Sequence, residues 1–183
     1  MNGDRFITLS DIYSKIKNKR SFFEKVNNYV PLYHGYKEKE LRRESDLILR
    51  KHIYQVLTDA KSSLKKSQTE LVSNNKMKLG NKTDNLLTKC DTISQQINHA
   101  VAGYSGFWDA IKVKEDELEK IYEIDSTLAS LSDEIKSSIE SVYENLNDEN
   151  QVGKKLETVH KNIESFEKQM IVRKEFILGY GKV

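Results

Sequence analysis

The chain of 183 residues has a single proline, a single cysteine and only eight glycines. One proline, Pro31, leaves nearly all of the chain free to run as uninterrupted helix. One cysteine, Cys90, excludes an internal disulfide framework and a cysteine zinc site. No apolar run approaches the ~20 residues needed to span a bilayer. The start, Met1 to Phe6, is polar and has no apolar core, so no secretory leader is expected and a cytoplasmic location is the default. A large excess of charge of one sign is also missing. The formal net charge is +2, which directs the chain as a whole to neither nucleic acid nor membrane. There is no phosphate-binding glycine loop, no dinucleotide fingerprint, no G-x-S-x-G elbow and no His-Glu-x-x-His.

What is present is charge and periodicity. Charged residues make up 32% of the chain and hydrophobic ones 37%, a balance that suits long exposed helices better than a compact α/β core. From Tyr36 to Leu71, the residues Leu41, Ser45, Ile48, Ile53, Val56, Ala60, Leu64, Ser67 and Leu71 fall three to five apart. That spacing draws one apolar stripe along a single rod. A rod otherwise covered in Lys, Arg, Glu and Gln needs partner helices along that stripe. Three later stretches carry the same pattern and supply them. Leu86, Leu87, Cys90, Ile93 and Ile97 mark the first, with Thr83 or Asp84 as its expected cap after a turn from Ser73 to Asp84. Leu118, Ile121, Leu128, Leu131, Ile135, Ile139, Val142 and Leu146 mark the second, starting near Lys114. Asp125 interrupts that stripe and is a candidate buried polar position. Val152, Leu156, Val159, Ile163, Phe166, Met170 and Ile177 mark the last, after an acidic turn at Asn147 to Asn150. The expected fold is all-α: an elongated antiparallel bundle of four principal long helices over residues 36–183, with a short N-terminal helical appendage in residues 1–35.

Residues 8–29 read as one or two short helices. Ile12, Tyr13 and Ile16, then Phe22, Phe23 and Val26, supply the apolar side, and Lys15, Lys17, Lys19 and Arg20 lie between the two clusters. Such a basic amphipathic segment suits an anionic membrane surface, or the end of a bundle with its lysines in water. A second basic group, Lys65, Lys66, Lys76, Lys78 and Lys82, surrounds the first long turn. No aromatic lies among these lysines, so they suit a salt-sensitive phosphate contact and not the reading of a base sequence. The region from Glu115 to Glu149 is mostly acidic, so the two ends of the molecule differ in charge.

No set of side chains reads as catalytic. Glu157-Thr158-Val159-His160 matches one element of a ferritin-like di-iron site. The second element is missing, because Gln96 precedes His99 at that spacing and Leu49 precedes His52. Neither a metal nor another cofactor is expected, and no small-molecule substrate. Cys90, between Leu86, Leu87 and Ile93, reads as a small buried hydrophobe. Tyr33, Tyr36, Tyr104, Phe107 and Trp108 form an aromatic set that suits either a partner contact or a plug at the bundle end. Arg42 and Arg43 suit an acidic partner, or local pairing with Glu38, Glu40 and Asp46.

The stretches Gly35-Tyr36-Lys37-Glu38-Lys39-Glu40-Leu41-Arg42-Arg43 and Gly103-Tyr104-Ser105-Gly106-Phe107-Trp108-Asp109-Ala110-Ile111-Lys112-Val113 resemble segments of a family of small uncharacterised helical proteins of archaea and bacteria. The resemblance implies a long-helix fold and carries no activity or functional residue with it. In charge and helix content that family also looks similar to PspA-type membrane-remodelling proteins, a likeness of shape alone. The expected function is a non-enzymatic scaffold or adaptor for protein–protein or self-association. Peripheral membrane association through residues 8–29, at the inner face of a membrane, and nucleic-acid or ribosome contact through the lysine-rich turn are the alternatives.

Overall fold

The computed structural model describes residues 39–99 and 115–180. Among them there are four α-helices and no strand. They are α1 (Lys39–Ser73), α2 (Met77–His99), α3 (Glu115–Tyr143) and α4 (Glu149–Tyr180). The chain forms two compact units, Met1–Ile48 and Leu49–Val183, whose boundary falls within α1. The helical appendage expected in residues 1–35 and the segment from Gly103 to Val113 lie outside the described residues. No helix among the described residues is long and apolar enough to cross a membrane.

The apolar stripes of all four helices meet in one core. In the second unit it runs from Leu49, Ile53, Leu57 and Leu64 on α1, through Leu86, Cys90 and Ile93 on α2, to Leu128, Ile135 and Ile139 on α3 and Leu156, Ile163 and Phe166 on α4. Fully burying one such aliphatic side chain stabilises by roughly 1.5–3 kcal/mol, so these stripes dominate the favourable side of folding. On α1 the buried face is wider than the sequence stripe. Leu49 and Leu57 are buried beside Ile53, while Ile48 is half-buried. Positions four apart broaden a single seam into the face that a packed globular helix shows.

Four hydroxyls lie in this core and each is satisfied within its own helix. Ser67 donates to the Ser63 carbonyl at 3.2 Å and Thr83 to Leu79 at 2.8 Å. Ser94 donates to Cys90 at 2.7 Å and Ser132 to Ala129 at 2.7 Å. Bonding of this kind lets a small polar residue sit in an apolar layer without an orphaned group.

The turn between α1 and α2 is shorter than its sequence suggests. Asn75 adopts a left-handed backbone with φ of 56°. Its N–H donates to the Val72 carbonyl at 3.0 Å, and the Lys76 N–H reaches the Leu71 carbonyl at 2.8 Å. This paired closure is the Schellman arrangement, with asparagine in the place glycine usually takes. Helix resumes at Met77, so Thr83 and Asp84 are interior residues of α2 and not its caps. The misreading came from Gly80 and Asn81, which look like turn formers. Gly80 is buried against α1, and a Cβ there would stand 2.8 Å from Cγ2 of Val72. Its role is to let the two helices approach, not to break one. At the other turn, Asp148 Oδ1 accepts from the Asn150 and Gln151 N–H groups at 3.0 and 3.1 Å and caps α4 as an acidic turn should.

Polar side chains also join the helices at regular intervals. Lys61 pairs with Asp91, and Gln68 donates to Asp84 at 2.7 Å. On α4, Lys155 donates to Ser141 Oγ at 2.6 Å, Asn162 to Ser138 Oγ and the Glu134 carbonyl at 3.3 Å each, and Gln169 to the Ile124 carbonyl at 3.4 Å. The spacing of seven between Lys61 and Gln68, and along Lys155, Asn162 and Gln169, keeps these links on one edge of their helices.

Candidate functional site

The described residue groups with the strongest chemistry lie at two places. The first is the region of the second unit where α2 and α4 begin. Lys76 Nζ donates to the Leu146 carbonyl at 2.8 Å and so ties the two turns together. Beside it is an open depression of about 440 Å³ lined by Asn75, Lys76, Met77, Lys78, Leu79, Lys82, Glu149 and Asn150. The lysines differ in how much charge they offer. Lys76 is half-buried and engaged, and Lys82 is held 3.2 Å from Glu157 on α4. Lys65 donates to Gln68 at 2.8 Å, and Lys66 and Lys78 are exposed. The first turn of α2 contains no acidic residue, so its positive helix end and Lys78 point the same electrostatic way. Asp148, the cap of α4, and Glu149 in its first turn oppose them.

The second place is the ion pair between α3 and α4. Arg173 Nε donates to Asp125 Oδ1 at 2.6 Å, and the two side chains are 2% and 6% exposed. Asp125 is thus a buried polar position in an otherwise apolar stripe. Its partner escaped the sequence reading because Arg173 falls between Met170 and Ile177 on a helix whose other basic residues are surface lysines. The guanidinium satisfies the carboxylate by a charge-assisted bond that neither helix can supply alone.

Two of the histidines, His99 and His160, are engaged locally. His160 Nε2 stands 3.2 Å from Glu164 one turn on, and His99 bonds Gln95 at 3.1 Å. Glu157, the partner expected of His160 in a di-iron element, faces Lys82 instead. Among the described residues no three His, Cys, Asp or Glu side chains stand together as a metal-binding group. Cys90 is fully buried, and desolvation pushes its thiol up to about 12, with Lys61 lowering and Asp91 raising it to smaller extents. A thiol held protonated in this way is a poor nucleophile at neutral pH.

The remaining sequence candidates divide simply. Lys15, Lys17, Lys19, Arg20, Tyr33, Tyr36, Tyr104, Phe107 and Trp108 lie outside the described residues, and Arg42 and Arg43 belong to the first turns of α1. Sequence reasoning passed over the exposed apolar side chains. Val72, Met77 and Tyr143 lie at the turns, and Ile171, Val172 and Leu178 lie in the last turns of α4. For Val72, Met77, Ile171, Val172 and Leu178 the signal was available, since each falls off its helix's buried period, whereas Tyr143 lies on that of α3. Comparison with protein-family models, with curated proteins and with solved structures returns no match to this chain.

Proposed function

We propose that the chain is a non-enzymatic helical scaffold or adaptor, built as an antiparallel four-helix bundle, that binds another protein or its own copies through helix surfaces. The arrangement draws support from the order of the polar links. As residue numbers rise from Lys61 to Gln68, their partners fall from Asp91 to Asp84. As they rise from Lys155 to Arg173, their partners fall from Ser141 to Asp125. The scaffold role rests on one observation: among the exposed large apolar side chains described, Ile171, Val172 and Leu178 group in the last turns of α4 and Val72, Met77 and Tyr143 lie at the turns, with Leu47 apart on α1; Met77 is 55% and Ile171 56% exposed. Isolated exposed apolar residues are ordinary, whereas grouped ones mark contact surfaces. Affinity capture from a native lysate, read beside the mass of the purified chain by light scattering, tests the role. A specific retained protein or a defined oligomer is the expected result, lost on replacing Met77 and Tyr143 or Ile171 and Val172 by glutamate. A monomer that retains nothing overturns it.

A second reading, contact with phosphate groups of nucleic acid or the ribosome, draws on the depression beside Lys76, Lys78 and Lys82. Reversing charge at Lys65, Lys66 and Lys78 then abolishes a salt-sensitive mobility shift with RNA. A shift that survives those changes removes this reading.

A further inference from the structure

The outer face of α4 changes character along its length. Lys161, Glu164 and Lys168 occupy it first, followed by Ile171, Val172, Glu175 and Leu178. With 3.6 residues per turn these positions share one side of the helix, opposite Ile163, Phe166, Arg173 and Ile177, which are buried. Ile171, Val172 and Leu178 are 56%, 46% and 45% exposed. Glu175 sits in their midst. Its neighbours three and four residues away are Ile171, Val172, Leu178 and Gly179, so no basic side chain of its own helix stands at pairing distance. Within the described residues no hydrogen bond or ion pair reaches Glu175 or Lys168.

Those two charges are complementary and symmetrically placed. A two-fold axis crossing α4 between Ile171 and Val172 sets Lys168 of one copy opposite Glu175 of the other, twice. It also brings Ile171 and Val172 of both copies together at the centre and lays Leu178 over the small, exposed Ser165. A parallel alignment in register would instead stack Lys168 on Lys168 and Glu175 on Glu175. We infer that the C-terminal half of α4 is the contact face for a second copy of this chain, paired antiparallel about Ile171 and Val172. The inference rests on the scaffold reading and names its partner. An interface this short lies below the ~1,200 Å² of stable complexes, so the pairing is weak and concentration-dependent.

Sedimentation velocity of the full chain over a roughly hundredfold concentration range tests the pairing. The weight-average mass is expected to climb towards that of a dimer. Lys168→Glu alone and Glu175→Lys alone each hold the chain monomeric, because each sets like charges opposite one another. The two changes together restore the climb. Both sites are exposed, and an unchanged far-UV spectrum confirms the fold of each variant. A wild-type monomer at every concentration overturns the pairing, as does self-association indifferent to either single reversal. Failure of the double variant to recover overturns the two-fold register. Lysate capture with the same samples separates this from the wider reading: a monomer that still retains a specific protein sinks only the α4 pairing, and one that retains none sinks both.

Discussion

Between α1 and α2 the polar links lie at the surface. Lys61 and Asp91 keep 41% and 48% of their side chains in contact with water. Between α3 and α4 the link formed by Asp125 and Arg173 is sealed inside. The apolar layers differ in the same sense. Small buried residues, Ala60, Ser67, Gly80, Thr83 and Cys90, are interspersed among the leucines and isoleucines of the first pair, whereas Ile135, Ile139, Ile163 and Phe166 are among the buried side chains of the second. The contrast shows that a charged pair's position, not its presence, sets its energetic weight.

The largest effect follows from the buried pair. Arg173→Ala or Asp125→Ala leaves one uncompensated charge in an apolar layer and is expected to cost about 3–5 kcal/mol, read by urea unfolding. Replacing both at once, Asp125→Leu with Arg173→Met, is expected to recover most of that loss. A single alanine variant unfolding within about 1 kcal/mol of wild type would show the site wet and the contrast between the pairs empty.

An intermediate effect tests the small layer. Burial favours the protonated Cys90 thiol, while the unfolded chain ionises near the ordinary value of 9.0. Below that pH the thiol is neutral in both states and contributes no pH dependence. As pH rises from there towards about 12 the unfolded state loses the proton first, so stability falls by up to about 1.4 kcal/mol per pH unit from this group. Cys90→Ala removes that share of the alkaline slope. The same burial makes alkylation of native protein at pH 8 far slower than of urea-unfolded protein. Equal rates would place the thiol at the surface.

The smallest effect belongs to the rim. Lys61→Ala and Asp91→Ala should each shift stability by about 0.2–1 kcal/mol, and their coupling in a double-mutant cycle should fade in high salt. Coupling as large as that between Asp125 and Arg173 would erase the distinction between exposed and enclosed links.

Much of this was legible in the chain itself. The four apolar periods marked the helices because a helix in water must bury one face, and that requirement is written in spacing. Asp125 stood out as a polar residue on a buried face, and the acidic turn at Asn147 to Asn150 carries the cap at Asp148. Gly80 and Asn81 misled because turn propensity is local, whereas a glycine demanded by a neighbouring helix looks the same in sequence. The exposed apolar group on α4 was hidden for a related reason: Ile171, Val172 and Leu178 are interleaved with Met170 and Ile177, and only packing divides them between inside and outside.

Helix content and the main apolar stripe of each helix were thus determined by the sequence alone, through periodicity that acts within a few turns. Which basic residue meets Asp125, where α2 begins, and which lysines remain exposed at the turns were decided only in three dimensions. Those outcomes depend on how the helices pack against one another, which is set by side chains distant in sequence acting together.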